Sequence, residues 1–123
     1  MARILVIDDD DDFRRMLCTA LERDGYTVEE ARNGQEGSRR HRTEPVDLVI
    51  TDILMPEQEG LETIQTLRQE FPEIKIIAIS GGVGMLNFLP LARKFGALQT
   101  LQKPFSLQQL YEAVREVLQP PAP

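Results

Sequence analysis

Two hydrophobic periods alternate along this chain, and few architectures accept both in that order. Five short runs read as strands: RILVI (Arg3 to Ile7), YTVEEA (Tyr26 to Ala31), DLVIT (Asp47 to Thr51), IKIIAIS (Ile74 to Ser80) and LQTLQ (Leu98 to Gln102). Three are nearly continuous in apolar, largely β-branched residues, the pattern of strands covered on both faces. Between the runs the spacing turns helical. Phe13, Met16, Leu17, Ala20 and Leu21 form one amphipathic stripe, and Leu61, Ile64, Leu67 and Phe71 a second. Leu107, Leu110, Tyr111, Val114 and Leu118 form a third, opened by Ser106 with Gln109 three residues on, a capping-box pattern. Five strands alternating with five helical stretches require right-handed crossovers, and so an α/β fold with a doubly wound, parallel five-stranded sheet. A chain of 123 residues fills one core and not two.

Two segments fit this frame less well. The second helix should lie near Gln35 to Arg42, yet that stretch has almost no apolar stripe and carries Gly37, which costs about 1 kcal/mol relative to Ala inside a helix. It is expected to be the least stable helix, with Arg39, Arg40, His41 and Arg42 as its solvated end, where cations complement the helix dipole. The fourth has the opposite excess. Met85, Leu86, Phe88, Leu89 and Leu91 offer more apolar surface than one buried face uses. Either an exposed patch results, or Pro90 shortens the helix and the preceding loop turns inward.

Composition excludes several functions. The net charge of −6 repels nucleic acid and anionic membranes, so neither direct nucleic-acid binding nor membrane insertion is expected. The apolar stretch Ile4 to Ile7 is far too short for a signal peptide or a membrane span. The single cysteine, Cys18, cannot form an internal disulfide, which fits a cytoplasmic location, and it reads as a small hydrophobe.

Chemistry-bearing residues gather where the strands end. In a parallel α/β sheet the carboxyl ends of the strands share one edge, and ligands bind there. Asp8 and Asp9 follow the first strand, Asp52 closes the third, Ser80 ends the fourth ahead of Gly81 and Gly82, and Lys103 follows the fifth, before Pro104. Asp10, Asp11 and Asp12 fall at a helix start, where capping and solvation explain them. Alone, Asp52 reads better as the N-cap of the following helix. Beside two other carboxylates it is costly, since unit charges about 4 Å apart repel by ~1 kcal/mol in water and ~4 kcal/mol at an effective dielectric near 20. A cation relieves such a cluster, and Mg²⁺ suits it because it takes one or two carboxylates and leaves positions for phosphate oxygens. Lys103 supplies a point charge for a phosphoryl oxygen.

These residues resemble the signature of response-regulator receiver domains, the phosphoacceptor half of two-component signalling. The resemblance is carried by ILVIDD, DLVITDILMP, IIAISGG and GALQTLQKPF, in order, over nearly the whole chain. It implies a flavodoxin-like sheet of order 2-1-3-4-5 and a receiver domain over residues 1–119, with 120–123 a Pro-rich tail or linker stub. It implies that Asp52 accepts a phosphoryl group from a histidine kinase or phosphotransfer protein, and that Asp9 binds Mg²⁺ directly. Asp8 would act on the metal through water, and the Leu54 backbone carbonyl would supply a further ligand. Ser80 and Lys103 would hold phosphoryl oxygens. Such a chain catalyses only its own phosphorylation and dephosphorylation, works as a monomer or weak dimer, and changes the surface of helix 4, strand 5 and helix 5 that a downstream partner reads. One position departs from the family: three residues before Lys103, where an aromatic is usual, stands Thr100. Two rivals share parts of the pattern. A haloacid-dehalogenase-like phosphatase needs a second Asp two residues after its nucleophile, and Leu54 stands there. A pseudo-receiver interaction module usually lacks the acceptor or the lysine, and both are present.

Overall fold

Alternation inside the central strands decides the layering. In the computed structural model, which describes residues 2–53, 59–81 and 88–119 (the side chains at 59, 60, 88 and 89 excepted), the strands are β1 (Arg3–Ile7), β2 (Thr27–Ala31), β3 (Leu48–Asp52), β4 (Ile76–Ser80) and β5 (Gln99–Gln102). All pair in parallel in the order β2-β1-β3-β4-β5, the doubly wound arrangement expected. The helices are α1 (Asp11–Arg23), α2 (Gly34–Thr43), α3 (Glu59–Glu70), α4 (Phe88–Phe95) and α5 (Leu107–Leu118). Ile4, Val6, Leu48, Ile50, Ile77 and Ile79 pack with Leu17 and Leu21 of α1 and Leu110 and Val114 of α5. Their neighbours Leu5, Ile7, Val49, Ile76 and Ala78 turn to the other face, against Leu61, Ile64 and Leu67 of α3 and Ala92 of α4. The near-continuous apolar runs are thus the three central strands, and the weaker runs are the half-buried edges β2 and β5.

Several expectations shift. Four strands start one or two residues later than the runs, and β3 extends to include Asp52. In α1 the buried face is Arg14, Leu17, Cys18 and Leu21, with Ala20, while Met16 is 43% exposed. In α5 it is Leu110, Ala113, Val114 and Val117, and Leu107, the helix's first residue, is 45% exposed. Each face still runs i, i+3, i+4, i+7. Of the stripes' marginal members, Met16 and Leu107 turn to solvent, while Phe13 and Leu118 pack against the rim of the core. The capping box at Ser106 and Gln109 forms as expected, with Gln109 N–H donating to Ser106 Oγ at 3.0 Å and Ser106 N–H to Gln109 Oε1 at 2.8 Å.

Helix α2 corrects a larger expectation. Its basic stretch is not uniformly solvated: His41 is buried, packs edge-on against Phe71 at 4.4 Å between centroids, and accepts the Val46 N–H at Nδ1, 3.0 Å away. Burial holds its pKa below the ordinary histidine value. Arg40 pairs with Glu29 and Glu36, and Arg42 with Glu70. Gly37 is buried because α2 lies close on β1; a Cβ there would sit 2.5 Å from Ile7 Cδ1. At Gly37 the helix lies too close to β1 for a side chain, and Ser38 and His41 complete its buried face in place of an apolar stripe.

In α4, Pro90 occupies the first turn, where it removes no helical hydrogen bond. Leu91 is half-buried and Ala92 buried. Met85, Leu86 and the side chains of Phe88 and Leu89, on which the expected apolar patch rests, lie outside the described residues. Among the described residues no helix is long and apolar enough to cross a membrane.

Candidate functional site

The sheet edge assembles the site by backbone pairing. Ile7 pairs with Thr51, Asp52 with Ile79, and Ser80 with Gln102, so the residues after β1 and β5 flank those ending β3 and β4. The ladder continues past the strand ends: Asp8 N–H donates to Ala31 O at 3.1 Å, Ile53 N–H to Ile79 O at 2.8 Å, and Lys103 N–H to Ser80 O at 2.7 Å. Asp8, Asp52 and Ser80 are 1%, 3% and 1% exposed, a depth that polar side chains reach only when paired or held for a purpose.

Two of those groups are carboxylates, and the Lys103 ammonium faces them. Lys103 Nζ lies 3.0 Å from Asp52 Oδ2. Asp8 Oδ1 accepts the Asp10 N–H at 2.8 Å, whereas its Oδ2 is buried and accepts no hydrogen bond. Burial pushes the Asp8 carboxyl up to about 7; the Asp10 amide opposes this, and the neighbouring Asp52 carboxylate reinforces it. Asp8 therefore carries the electrostatic strain of the pair, while Asp52 has the ammonium.

A hard cation fits this arrangement. Its usual donors are carboxylate, carbonyl and water oxygens, and Asp8 Oδ2 is a buried oxygen lacking a donor beside a second carboxylate. Asp9 is exposed rather than drawn into the pair. Among the described residues no three His, Cys, Asp or Glu side chains converge as a ready-made metal cage. Leu54, expected to offer its carbonyl, lies outside the described residues. The acidic run otherwise behaves as capping: Asp10 Oδ1 accepts the Phe13 N–H at 3.1 Å, Asp11 pairs with Arg14 at 2.7 Å, and Asp12 is exposed. Cys18 is buried and its thiol is pushed up to about 12 by burial and then by nearby Glu30 and Glu22, as a small hydrophobe should be.

The Lys103 stem runs past Gly81, just beyond β4. Gly81 makes room for it, because a Cβ there would lie 2.8 Å from Lys103 Cδ. Thr100 is half-buried on β5, in register with Ala78.

Sequence reasoning missed Arg14. It is only 6% exposed, and its guanidinium donates to the Asp8 carbonyl at 2.8 Å, to Glu30 at 2.8 Å and to Asp11 at 2.7 Å. A charged residue inside an amphipathic stripe, three residues after an aspartate, was the available signal. It reads as surface unless the partner across the β2 edge is known.

The family described as response regulator receiver domain matches residues 4–115. The response regulator receiver protein CpdR of Brucella abortus is 38% identical over 119 residues, covering 96% of this chain and 98% of that protein. The sensor kinase CckA of the same organism is 38% identical over 122 residues, 96% of this chain but only 13% of the kinase. Among solved structures, a response regulator receiver domain protein from Clostridium thermocellum superposes with a TM-score of 0.88 at 33% identity, covering 96% of this chain and 94% of that one. The chain belongs to the response regulator receiver domain family.

Proposed function

We propose that this chain is a phosphoacceptor of two-component signalling, with Asp52 as the acceptor and a histidine kinase or phosphotransfer protein as the donor. The observation that carries the reading is the buried Asp52 carboxylate with Lys103 Nζ 3.0 Å from its Oδ2, beside a second buried carboxylate, Asp8. An Asp52 oxygen forms the new O–P bond as the P–N bond of a phosphohistidine breaks. The imidazole nitrogen leaves with that electron pair and takes a proton. The Lys103 ammonium neutralises a phosphoryl oxygen already within reach, and the Ser80 hydroxyl at the end of β4 donates to another. Catalysis of this kind is positioning and charge neutralisation. Asp8, Asp9, Asp52 and the Leu54 carbonyl would hold Mg²⁺, which would add positive charge beside that of Lys103. In this reading residues 1–119 form the receiver and 120–123 a Pro-rich tail or linker stub, the protein works in the cytoplasm as a monomer or weak dimer, and it turns over only its own phosphoryl group. Movement of Ser80 toward the phosphoryl group passes to α4, β5 and α5, the surface partners read, without a ring at Thr100.

Incubation with a small acyl-phosphate donor and Mg²⁺ tests the proposal. One phosphoryl group should appear as an intact-mass increase that is lost on brief base treatment and absent in Asp52→Asn. An adduct that survives in Asp52→Asn moves the acceptor elsewhere. No adduct in the parent chain makes it an interaction module on the same fold.

A further inference from the structure

Lys103 stands in a corner built from three elements. Its Nζ is 3.0 Å from Asp52 Oδ2 on β3 and 3.8 Å from the centroid of the Phe13 ring on α1, while its stem crosses Gly81 after β4. Phe13 is itself fixed edge-on by Phe105, with centroids 6.2 Å apart and planes at 83°, close to the favoured geometry of an aromatic pair. A lysine is a compact charge on a flexible four-carbon stem, and a single carboxylate contact at a part-exposed edge leaves that stem free to swing. An aromatic face attracts the ammonium through its quadrupole, where an aliphatic side chain would only fill space.

We infer that Phe13 is a positioning residue for Lys103: its ring face, braced by Phe105, holds the ammonium against the Asp52 carboxylate. Gly81 gives the stem room, Phe13 covers one side of the charge, and Asp52 receives it. An incoming phosphoryl group then meets an ammonium that needs no search. The consequence for phosphoryl acceptance rests on the function proposed above; the placement of Lys103 does not.

The test reads Lys103 first without any donor. The sequence contains three lysines, Lys75, Lys94 and Lys103, so an amine-acylating reagent followed by peptide mass spectrometry gives Lys103 reactivity against two internal controls. Phe13→Leu should raise Lys103 labelling about two- to fivefold relative to Lys75 and Lys94, and slow acceptance from a small acyl phosphate by a similar factor, the loss of one part-exposed cation–π contact. Phe13→Tyr keeps the ring face and should stay near the parent in both. In the unmodified chain the Lys103 ε-methylene protons should resonate upfield of those of Lys75 and Lys94, a readout that needs no variant to fold. Unchanged labelling in Phe13→Leu, a Phe13→Tyr chain that matches Phe13→Leu, or an absent upfield displacement each overturns the inference. Faster labelling in Phe13→Leu combined with no phosphoryl adduct in the parent supports the positioning role and removes the phosphoacceptor reading instead.

Discussion

The Arg14 guanidinium donates from Nη1 to the backbone carbonyl of Asp8 at 2.8 Å. This ties α1 to the turn that carries the acidic residues, from a side chain that is itself buried. Its other nitrogens reach the side chains of Glu30 and Asp11, which are 43% and 67% exposed, so removing Arg14 returns those carboxylates to water. The carbonyl has no such recourse. Arg14→Met should therefore destabilise the fold by about 1–3 kcal/mol, the cost of a buried acceptor left without its donor. Arg14→Lys should recover only part, because an ammonium cannot span the three acceptors as a planar fork does. Urea unfolding measures both, and an Arg14→Met chain as stable as the parent would mean the carbonyl finds another donor.

Replacing a helical glycine by alanine ordinarily stabilises, by about 0.5–1 kcal/mol. At Gly37 the sign should reverse. The added Cβ would lie 2.5 Å from Ile7 Cδ1, in a core where Ile7 is fully buried, and overpacking typically costs 1–3 kcal/mol. At Gly34 the obstacle is Thr63, with Oγ1 2.2 Å and Cβ 3.0 Å away; a β-branched side chain is stiff at χ1. Gly34→Ala should thus lower the melting temperature more than Gly37→Ala does, and both should lower it. A melting temperature raised by either substitution would show that α2 can retreat from the sheet.

Gly37 also marks where the sequence stopped being legible. The central strands announced themselves because burial on both faces demands unbroken apolar runs, and the carboxyl-edge residues followed from parallel topology. Asp52, Lys103 and Ser80 come to one edge because of where their strands stop, which a linear reading can count. Helix α2 could not be read in that way. Its packing depends on closeness to Ile7 and on a ring contact between His41 and Phe71, and neither leaves a periodic trace. Arg14 and Phe13 were hidden for a related reason. One looked like a solvent residue and the other like an ordinary core member, and each takes its role from a partner distant in sequence: Glu30 and the Asp8 carbonyl for Arg14, Lys103 for Phe13.

Cys18 offers a probe of opening. Its thiol is buried and held near 12, so little thiolate exists at neutral pH, and the thiolate is the nucleophile. Alkylation of the native chain at pH 8 should be slower than that of the urea-unfolded chain by orders of magnitude, and its rate should track the unfolding equilibrium as urea is raised. Rapid native labelling would mean that α1 separates from the sheet without global unfolding.

The last prediction turns on the asymmetry between the two buried carboxyls. Asp8 is pushed up to about 7 from an ordinary value of 3.8, first by burial and further by Asp52. Between about pH 4 and pH 7 the folded chain therefore holds a proton that the unfolded chain has lost. Stability should fall as pH rises through that window and level off above it, by on the order of 2–4 kcal/mol. His41, depressed by burial, acts in the opposite sense, its contribution growing as pH rises to the ordinary histidine value, so the comparison that isolates Asp8 is Asp8→Asn against the parent. In metal-free buffer Asp8→Asn should melt higher than the parent at pH 8 and nearly alike at pH 4. Asp52→Asn should gain less, because it relieves the same repulsion but takes from Lys103 the carboxylate 3.0 Å away. Millimolar Mg²⁺ should raise the parent's melting temperature more at pH 8 than at pH 5.5, since carboxylates bind it deprotonated. Binding to the native state alone adds about 2.7 kcal/mol at a hundredfold excess over Kd, comparable to the penalty it relieves. Equal pH profiles for Asp8→Asn and the parent would remove Asp8 as the strained group, and a melting temperature indifferent to Mg²⁺ at pH 8 would leave its buried Oδ2 without the partner proposed for it.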